Sequence, residues 1–292
     1  MDITLALGGG GAKGNSHIGV LRRLEKEGFK IRAVAGTSFG GIVAVMYAAG
    51  YTPAEIEDIF AKVDQTRLYG RSLAEGPSLL GLAGVRKWLD EVLSDRTFAD
   101  LKIPCAVTAV DLNHSREVTL DEGRVKDALL ATIAVPGIFP TYSWQDWNLI
   151  DGGVLNPVPV SVARALAPSL PVFAVTLHTP IGEEPATGIP VPDNVPKPIL
   201  DRLAHIRIAQ AFDVFMRSVD IGSRAVAEYR LVVDKPDVII RPDVADIGLL
   251  EQVDVREVAR RGNEAVEAVL PELRKISSWT SRLRRSLFGG NI

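Results

Sequence analysis

Cysteine occurs once in the 292 residues, at Cys105. An internal disulfide is therefore excluded, which suits a reducing compartment. Nothing beside the thiol in LKIPCAVTAV would lower its pKa, so Cys105 reads as a small buried hydrophobe and not as a nucleophile. Histidine is scarce as well, with four residues. No group of His, Cys and carboxylates has metal-ligand spacing, and no metal is expected. An excess of basic residues is missing: 33 Lys and Arg face 36 Asp and Glu, for a net charge of −3, and no nucleic-acid partner is expected. Long apolar runs are missing too. The longest, residues 40–51, covers about a dozen positions where a bilayer span needs about 20. The chain enters an apolar strand straight after Met1 and Asp2, without the basic n-region of a secretory signal. The expectation is a cytoplasmic protein, attached at most to the inner membrane surface. Core-forming material, by contrast, is plentiful: 47% of residues are hydrophobic and 24% charged. That composition supports a large buried core.

Short apolar runs alternate with helical periodicity, the pattern of βαβ units around a mostly parallel sheet. Strands are expected at residues 3–7, 31–35, 103–110, 171–177 and 237–241. Helices are expected over 16–27, 41–49, 54–63, 85–93, 125–133, 199–228 and 255–267. Thr52-Pro53-Ala54-Glu55 carries the signs of a helix start: a capping hydroxyl, proline in the first turn and an acid at the third position. Residues 117–120 read as part of a hairpin-like segment with its turn at Asp121-Glu122-Gly123. Residues 65–83 and the proline-rich stretch 179–198 read as loops, the second as a flap. From Arg274 onward the chain carries Arg274, Lys275, Arg282, Arg284 and Arg285 with no acid, interleaved with Trp279, Leu283, Leu287 and Phe288. This suits either an interfacial helix on anionic lipid or a solvated basic terminus. The chain accordingly divides into one domain over 1–275 and a basic amphipathic tail over 276–292.

Gly9, Gly11 and Gly14 in LALGGGGAKGNSHIGVL satisfy G-x-G-x-x-G, the spacing of a dinucleotide-binding turn. That reading needs an acid at the end of the second strand to hold the ribose, and the strand ends Val34-Ala35-Gly36-Thr37-Ser38. A phosphate-binding P-loop needs Gly-Lys-Ser/Thr in that order, and here Lys13 precedes Gly14. Neither nucleotide motif is complete, and no cofactor is expected. A third use of such a loop is to aim backbone N–H groups at the oxyanion of an acyl transfer.

The second strand runs into Gly36-Thr37-Ser38-Phe39-Gly40, a G-x-S-x-G at a strand-to-helix junction, the context of a nucleophile elbow. Glycines flank the serine because side chains there would collide with backbone in so sharp a turn. The bland alternative is that Ser38 only caps the next helix. A nucleophilic serine needs a base. His17, in the first turn of a helix where its charge would oppose the macrodipole, His114 in a polar turn, His178 at a strand end and His205 in a helical stretch all lack the setting of a triad base. Asp151 in Leu149-Ile150-Asp151-Gly152-Gly153 is the better candidate, since burial would raise its pKa and a positioned carboxylate can take the serine proton directly. An ordinary Asp-Gly-Gly turn is the competing reading.

Together LGGGGAKG, GTSFG, AVPGIFP and LIDGGVLNPVP resemble the patatin-like phospholipase family, in order and spacing over about residues 2 to 178. The resemblance implies a three-layer α/β/α fold with a central, mostly parallel sheet. It implies a Ser38–Asp151 catalytic dyad and an oxyanion hole at Gly9, Gly10 and Gly11. Gly14, Gly36, Gly40, Gly152 and Gly153 support these motifs. Lys13 takes the family's basic loop position, where it orients the loop or an anionic substrate, or is simply a surface lysine. The substrates implied are phospholipid, lysophospholipid or other acyl esters. Beyond residue 178 the resemblance is weak, which leaves selectivity open. Malonyl-type acyltransferases share the elbow but place histidine before the serine, where this chain has Thr37. A thioesterase, a small-ester esterase and a catalytically silent lipid-binding module stand as further readings.

Overall fold

A computed structural model describes residues 1–64, 68–70, 78–180, 182 and 199–277, with the backbone alone over 199–213 and at 277. Residues 65–67, 71–77, 181, 183–198 and 278–292 lie outside the described residues, and with them most of the expected proline-rich loop and basic tail.

Strands β1 (Asp2–Leu7), β2 (Lys30–Thr37), β3 (Cys105–Asp111), β4 (Arg116–Leu120), β5 (Tyr142–Trp144), β6 (Trp147–Asp151), β7 (Val172–Val175) and β8 (Val238–Ile240) form one mixed sheet. Its order is β5-β6-β3-β2-β1-β7-β8, with β4 also paired to β3. The strands from β3 across to β8 run parallel, as the alternation of apolar runs and helices predicts. The helices are α1 (Ser16–Lys26), α2 (Phe39–Ala48), α3 (Pro53–Ala61), α4 (Ala83–Leu93), α5 (Val125–Thr132), α6 (Val160–Leu166), α7 (Ile199–Asp234), α8 (Val255–Ala268) and α9 (Leu270–Ser277).

Alternation along β1 divides the interior into two layers. Ile3, Leu5 and Leu7 join Ile18, Leu21 and Leu24 of α1 and Val43 of α2 in the larger core. Ala6, Ala35, Ala106 and Ala174 form a methyl floor on the other face, and the small side chains let Val160 and Ala163 of α6 and Ala227 and Leu231 of α7 pack close. The fold is thus a three-layer α/β/α sandwich. In the larger layer, α1 and α8 cross backbone to backbone at two glycines. A Cβ on Gly19 would lie 1.7 Å from the Ala259 carbonyl oxygen, and one on Gly262 would lie 1.8 Å from that of Ser16.

The start of α3 follows the sequence rule, with Thr52 and Glu55 forming a reciprocal capping box and Pro53 in the first turn. Other expectations need correction. β4 pairs antiparallel with β3, so the hairpin turns at residues 112–115, where Ser115 adopts φ 53°, and not at Asp121-Glu122-Gly123. Those three residues lead into α5 instead. Helices α6 and α9 were not expected, and α7 continues to Asp234. Among the described residues no helix is long and apolar enough to cross a membrane.

The sheet register positions the candidate site. β2 ends with Thr37 opposite Thr108, and antiparallel β6 ends with Asp151 opposite Ala109. β4 occupies one edge of β3 over residues 107–111, so β2 and β6 share the other. Two strands arriving from opposite directions therefore stop at consecutive residues of β3. Ser38 and Asp151, far apart in the chain, are brought together there.

Candidate active site

Ser38 stands between β2 and α2 with φ 54° and ψ −127°, a conformation an L-residue adopts only when its surroundings enforce it. A Cβ at Gly36 would lie 2.4 Å from the Gly40 carbonyl oxygen, and one at Gly40 would lie 2.4 Å from that of Leu7. These are backbone clashes that no rotamer relieves, so G-x-S-x-G is a packing requirement of this turn. The Ser38 N–H donates to Thr132 Oγ1 at 2.8 Å, and the side chain is 8% exposed.

Asp151 is 5% exposed. Its Oδ1 accepts the Gly153 N–H at 2.7 Å, and the Ser38 side chain lies close enough to the carboxylate to help hold its pKa down. Burial pushes its pKa up to about 6, against the opposing pull of the Ser38 hydroxyl and the Gly153 N–H. Gly152 is required because a Cβ there would come within 2.3 Å of Thr108 Oγ1. At neutral pH the carboxylate is ionised yet more basic than an exposed aspartate.

The glycine loop lies against the elbow. A Cβ on Gly9 would be 3.2 Å from that of Ser38, and one on Gly14 would be 2.2 Å from the Phe39 ring. The Gly9 N–H donates to the Pro157 carbonyl at 2.9 Å, as Gly8 does to Val175. This narrows the expectation for the oxyanion hole: Gly9 has no N–H to offer, and it supplies clearance over the serine. Gly10 and Gly11 have no intramolecular acceptor among the described residues. Gly11 has φ 58°, and a Cβ there would sit 2.0 Å from the Leu249 carbonyl oxygen. The loop is held by contacts that the motif does not announce. The Ala12 N–H donates to the Leu249 carbonyl at 2.9 Å. His17, fully buried, bonds the Gly8 carbonyl through Nε2 at 2.8 Å, and burial drives its pKa down to about 4. A neutral ring donating Nε2–H fits this contact.

Lys13 is partly buried, and burial lowers its pKa while Asp220 and Asp246 oppose that shift and Arg224 adds to it. It is therefore no ordinary surface lysine. His178 has its pKa pushed down to about 3, first by burial and then by Lys13, Arg224 and Arg241. His114 bonds Asp111 at 2.5 Å in the β3–β4 turn, and the His205 side chain lies outside the described residues. None of the described histidines bonds Ser38. Cys105 is buried, and burial pushes its thiol pKa up. Among the described residues no group of His, Cys, Asp and Glu could hold a metal ion.

Ser38 also lines an apolar cavity with Phe39, Ile42, Phe60, Trp88, Phe139 and Leu249, among others. Phe39 and Phe60 pack as tilted rings with centroids 5.0 Å apart, and Phe60 and Trp88 with centroids 5.5 Å apart. Ser38 thus stands at a buried carboxylate, the glycine loop and an apolar trough, parts that can divide an acyl group from its leaving group.

The sequence profile described as patatin-like phospholipase matches residues 5–164, and the chain belongs to that family. The chain is 32% identical over 215 residues to an uncharacterised NTE family protein of Mycobacterium tuberculosis, a match covering 73% of this chain and 58% of that one. It is 26% identical over 294 residues to Lysophospholipase NTE1 of Yarrowia lipolytica, covering 94% of this chain but 20% of the fungal protein. The chain thus spans little more than half of the mycobacterial relative and a fifth of the fungal one. Among solved structures, VipD of Legionella pneumophila superposes with a TM-score of 0.57 at 12% identity, covering 92% of this chain and 66% of that one, a likeness of fold.

Proposed function

We propose that the protein is a serine acyl hydrolase of lipid esters, of phospholipase A, lysophospholipase or carboxylesterase type, with Ser38 as nucleophile and Asp151 as base. The observation that carries this reading is the sheet register that sets a strained serine beside a buried, weakly acidic carboxylate, next to a glycine loop with two N–H groups unengaged among the described residues. Asp151 takes the Ser38 hydroxyl proton as Oγ attacks the ester carbonyl carbon. The carbonyl π electrons move to oxygen, and the oxyanion is received by the N–H groups of Gly10 and Gly11, each donor worth about 3 kcal/mol in the transition state. Collapse breaks the bond to the alcohol or lysolipid, which leaves with the proton from Asp151. Asp151 then deprotonates a water that attacks the acyl-serine. The second tetrahedral species expels Ser38 Oγ, which recovers the proton, and the fatty acid departs.

The apolar cavity beside Phe39 receives the acyl chain, and Lys13 meets an anionic part of the substrate or orients the loop. No metal or cofactor takes part in this scheme. We place the protein in the cytoplasm, with the basic segment 276–292 making peripheral contact with the inner membrane surface; residues 1–275 form the hydrolase domain.

Mass spectrometry after incubation with a fluorophosphonate tests the reading, comparing wild type with Ser38→Ala. One stoichiometric adduct on a peptide containing Ser38, absent from the variant, is expected. A folded wild type that takes no adduct refutes it and favours a silent lipid-binding module. Product analysis on lysophospholipid, acyl thioester and mixed acceptors then separates a lipase from a thioesterase or an acyltransferase, by whether free fatty acid or an acylated acceptor accumulates.

A further inference from the structure

The Ser38 elbow is pinned from beneath by a side chain outside every motif that marks the site. Thr132 is the last residue of α5 and is fully buried. Its Oγ1 accepts the Ser38 N–H at 2.8 Å and donates to the Thr108 carbonyl at 2.6 Å. The register explains why a hydroxyl is needed there. Thr37 is the last residue of β2 to pair with β3, opposite Thr108. Beyond that pair the chain leaves the sheet for the elbow, so the next N–H of β2 and the neighbouring carbonyl of β3 move out of direct reach. One hydroxyl, acting as donor and acceptor at once, bridges them. Without it, the buried Ser38 N–H loses its acceptor, at a residue already held at φ 54°.

Thr108 is also the residue on which the other half of the site rests. Its Oγ1 bonds Thr37 Oγ1 at 2.7 Å, and Gly152, next to Asp151, is fitted against its Oγ1 and carbonyl oxygen. The Thr132 bridge therefore ties the nucleophile's backbone to the strand residue that abuts the base's turn. We infer that Thr132 is a positioning residue for the reaction: it touches no substrate and acts through the Ser38 backbone, setting the direction of Oγ toward Asp151 and the Gly10–Gly11 donors. The inference rests on the reading of Ser38 as nucleophile.

The test compares wild type, Thr132→Val and Thr132→Ser by the rate of fluorophosphonate labelling of Ser38 and by kcat and KM on a soluble acyl ester across pH 5 to 9. Valine keeps the volume and removes the bridge, whereas serine keeps the hydroxyl. The valine variant is expected to label, and to turn over, about 10- to 100-fold more slowly with KM within a few-fold of wild type, a loss typical of a misdirected reacting group. Serine is expected to restore both rates to within a few-fold. The half-maximal pH stays where it is in wild type, because Asp151 keeps its surroundings. A valine variant that labels at the wild-type rate overturns the inference. So does a serine variant as slow as valine, or a valine variant whose pH midpoint falls toward that of an exposed aspartate, since either makes Thr132 a packing residue of the whole pocket. If valine gives no folded protein, Thr132→Cys, similar in size with a weaker acceptor, is judged by the same criteria. A wild type that takes no adduct at Ser38 overturns the reading of the nucleophile and this inference with it, whereas normal labelling of the variant overturns this inference alone.

Discussion

Replacing Asp151 by Asn should stabilise the protein while removing its activity, and the size of the stabilisation follows from burial. The carboxyl is held at a pKa of about 6, where an ordinary aspartate sits at 3.8. A rise of about two units corresponds to about 3 kcal/mol by which the folded protein disfavours the ionised form. The sign follows from linkage. Below the unfolded pKa the carboxyl is protonated in both states and nothing is lost. As pH rises through 6 the folded state ionises a buried group, and the full penalty is present above that pH. Asparagine matches the shape, can accept the Gly153 N–H, and never ionises. Wild type and variant should therefore be of similar stability near pH 4 and differ by up to about 3 kcal/mol at pH 8, in favour of the variant. With an unfolding entropy of about 2 cal/mol/K per residue, this is a melting-point difference of about 5 °C. The difference isolates Asp151 from the other groups that titrate in this range. Ester hydrolysis should meanwhile fall by about 10²- to 10⁴-fold, the usual contribution of a general base. Urea denaturation at several pH values, read with the hydrolysis rate, checks both halves. An Asp151→Asn protein no more stable than wild type at pH 8, or a gap unchanged at pH 4, would refute the claim that burial holds this carboxylate at high energy.

The same pKa sets the acid limb of activity: the rate should rise with pH through a midpoint near 6 and then level off, and a midpoint near 4 would mean that Asp151 is solvated during turnover. His17 acts on stability in the opposite direction. Its folded pKa of about 4 lies below the ordinary 6.5, so the stability it contributes above 6.5 is lost as pH falls toward 4, by up to about 3 kcal/mol. His17→Phe should flatten that loss in urea titrations and, by freeing the Gly8 carbonyl, lower kcat several-fold, whereas a variant as acid-sensitive as wild type removes His17 from the account. Gly262→Ala drives a methyl to within 1.8 Å of the Ser16 carbonyl oxygen and should cost about 3 kcal/mol as α1 and α8 part, measured by thermal melting; a loss under 0.5 kcal/mol would show that the crossing yields easily.

Ser38 and Asp151 were legible as candidates because their demands are local. A serine between Gly36 and Gly40 at the end of an apolar run, and an aspartate followed by Gly152 and Gly153, announce turns that only glycine-flanked chain can make. The capping box at Thr52 and the αβ alternation are legible for the same reason: neighbours in the chain impose them. What the tertiary structure decided is how distant groups share hydrogen bonds. Gly9, Gly10 and Gly11 look alike in the motif, yet the Pro157 carbonyl engages one of their N–H groups, and the other two find no acceptor among the described residues. His17 sits in an ordinary helical pattern, and only burial against Gly8 makes it a neutral clamp. Thr132 carries no signal at all, since its task exists only where β2 leaves β3. That the hairpin turns before β4 and not at Asp121-Glu122-Gly123 has a related reason: β4 pairs back onto β3, a property of the sheet and not of the three residues. Side-chain chemistry is written along the chain, but desolvation and the choice among equivalent donors depend on what lies across from them in space.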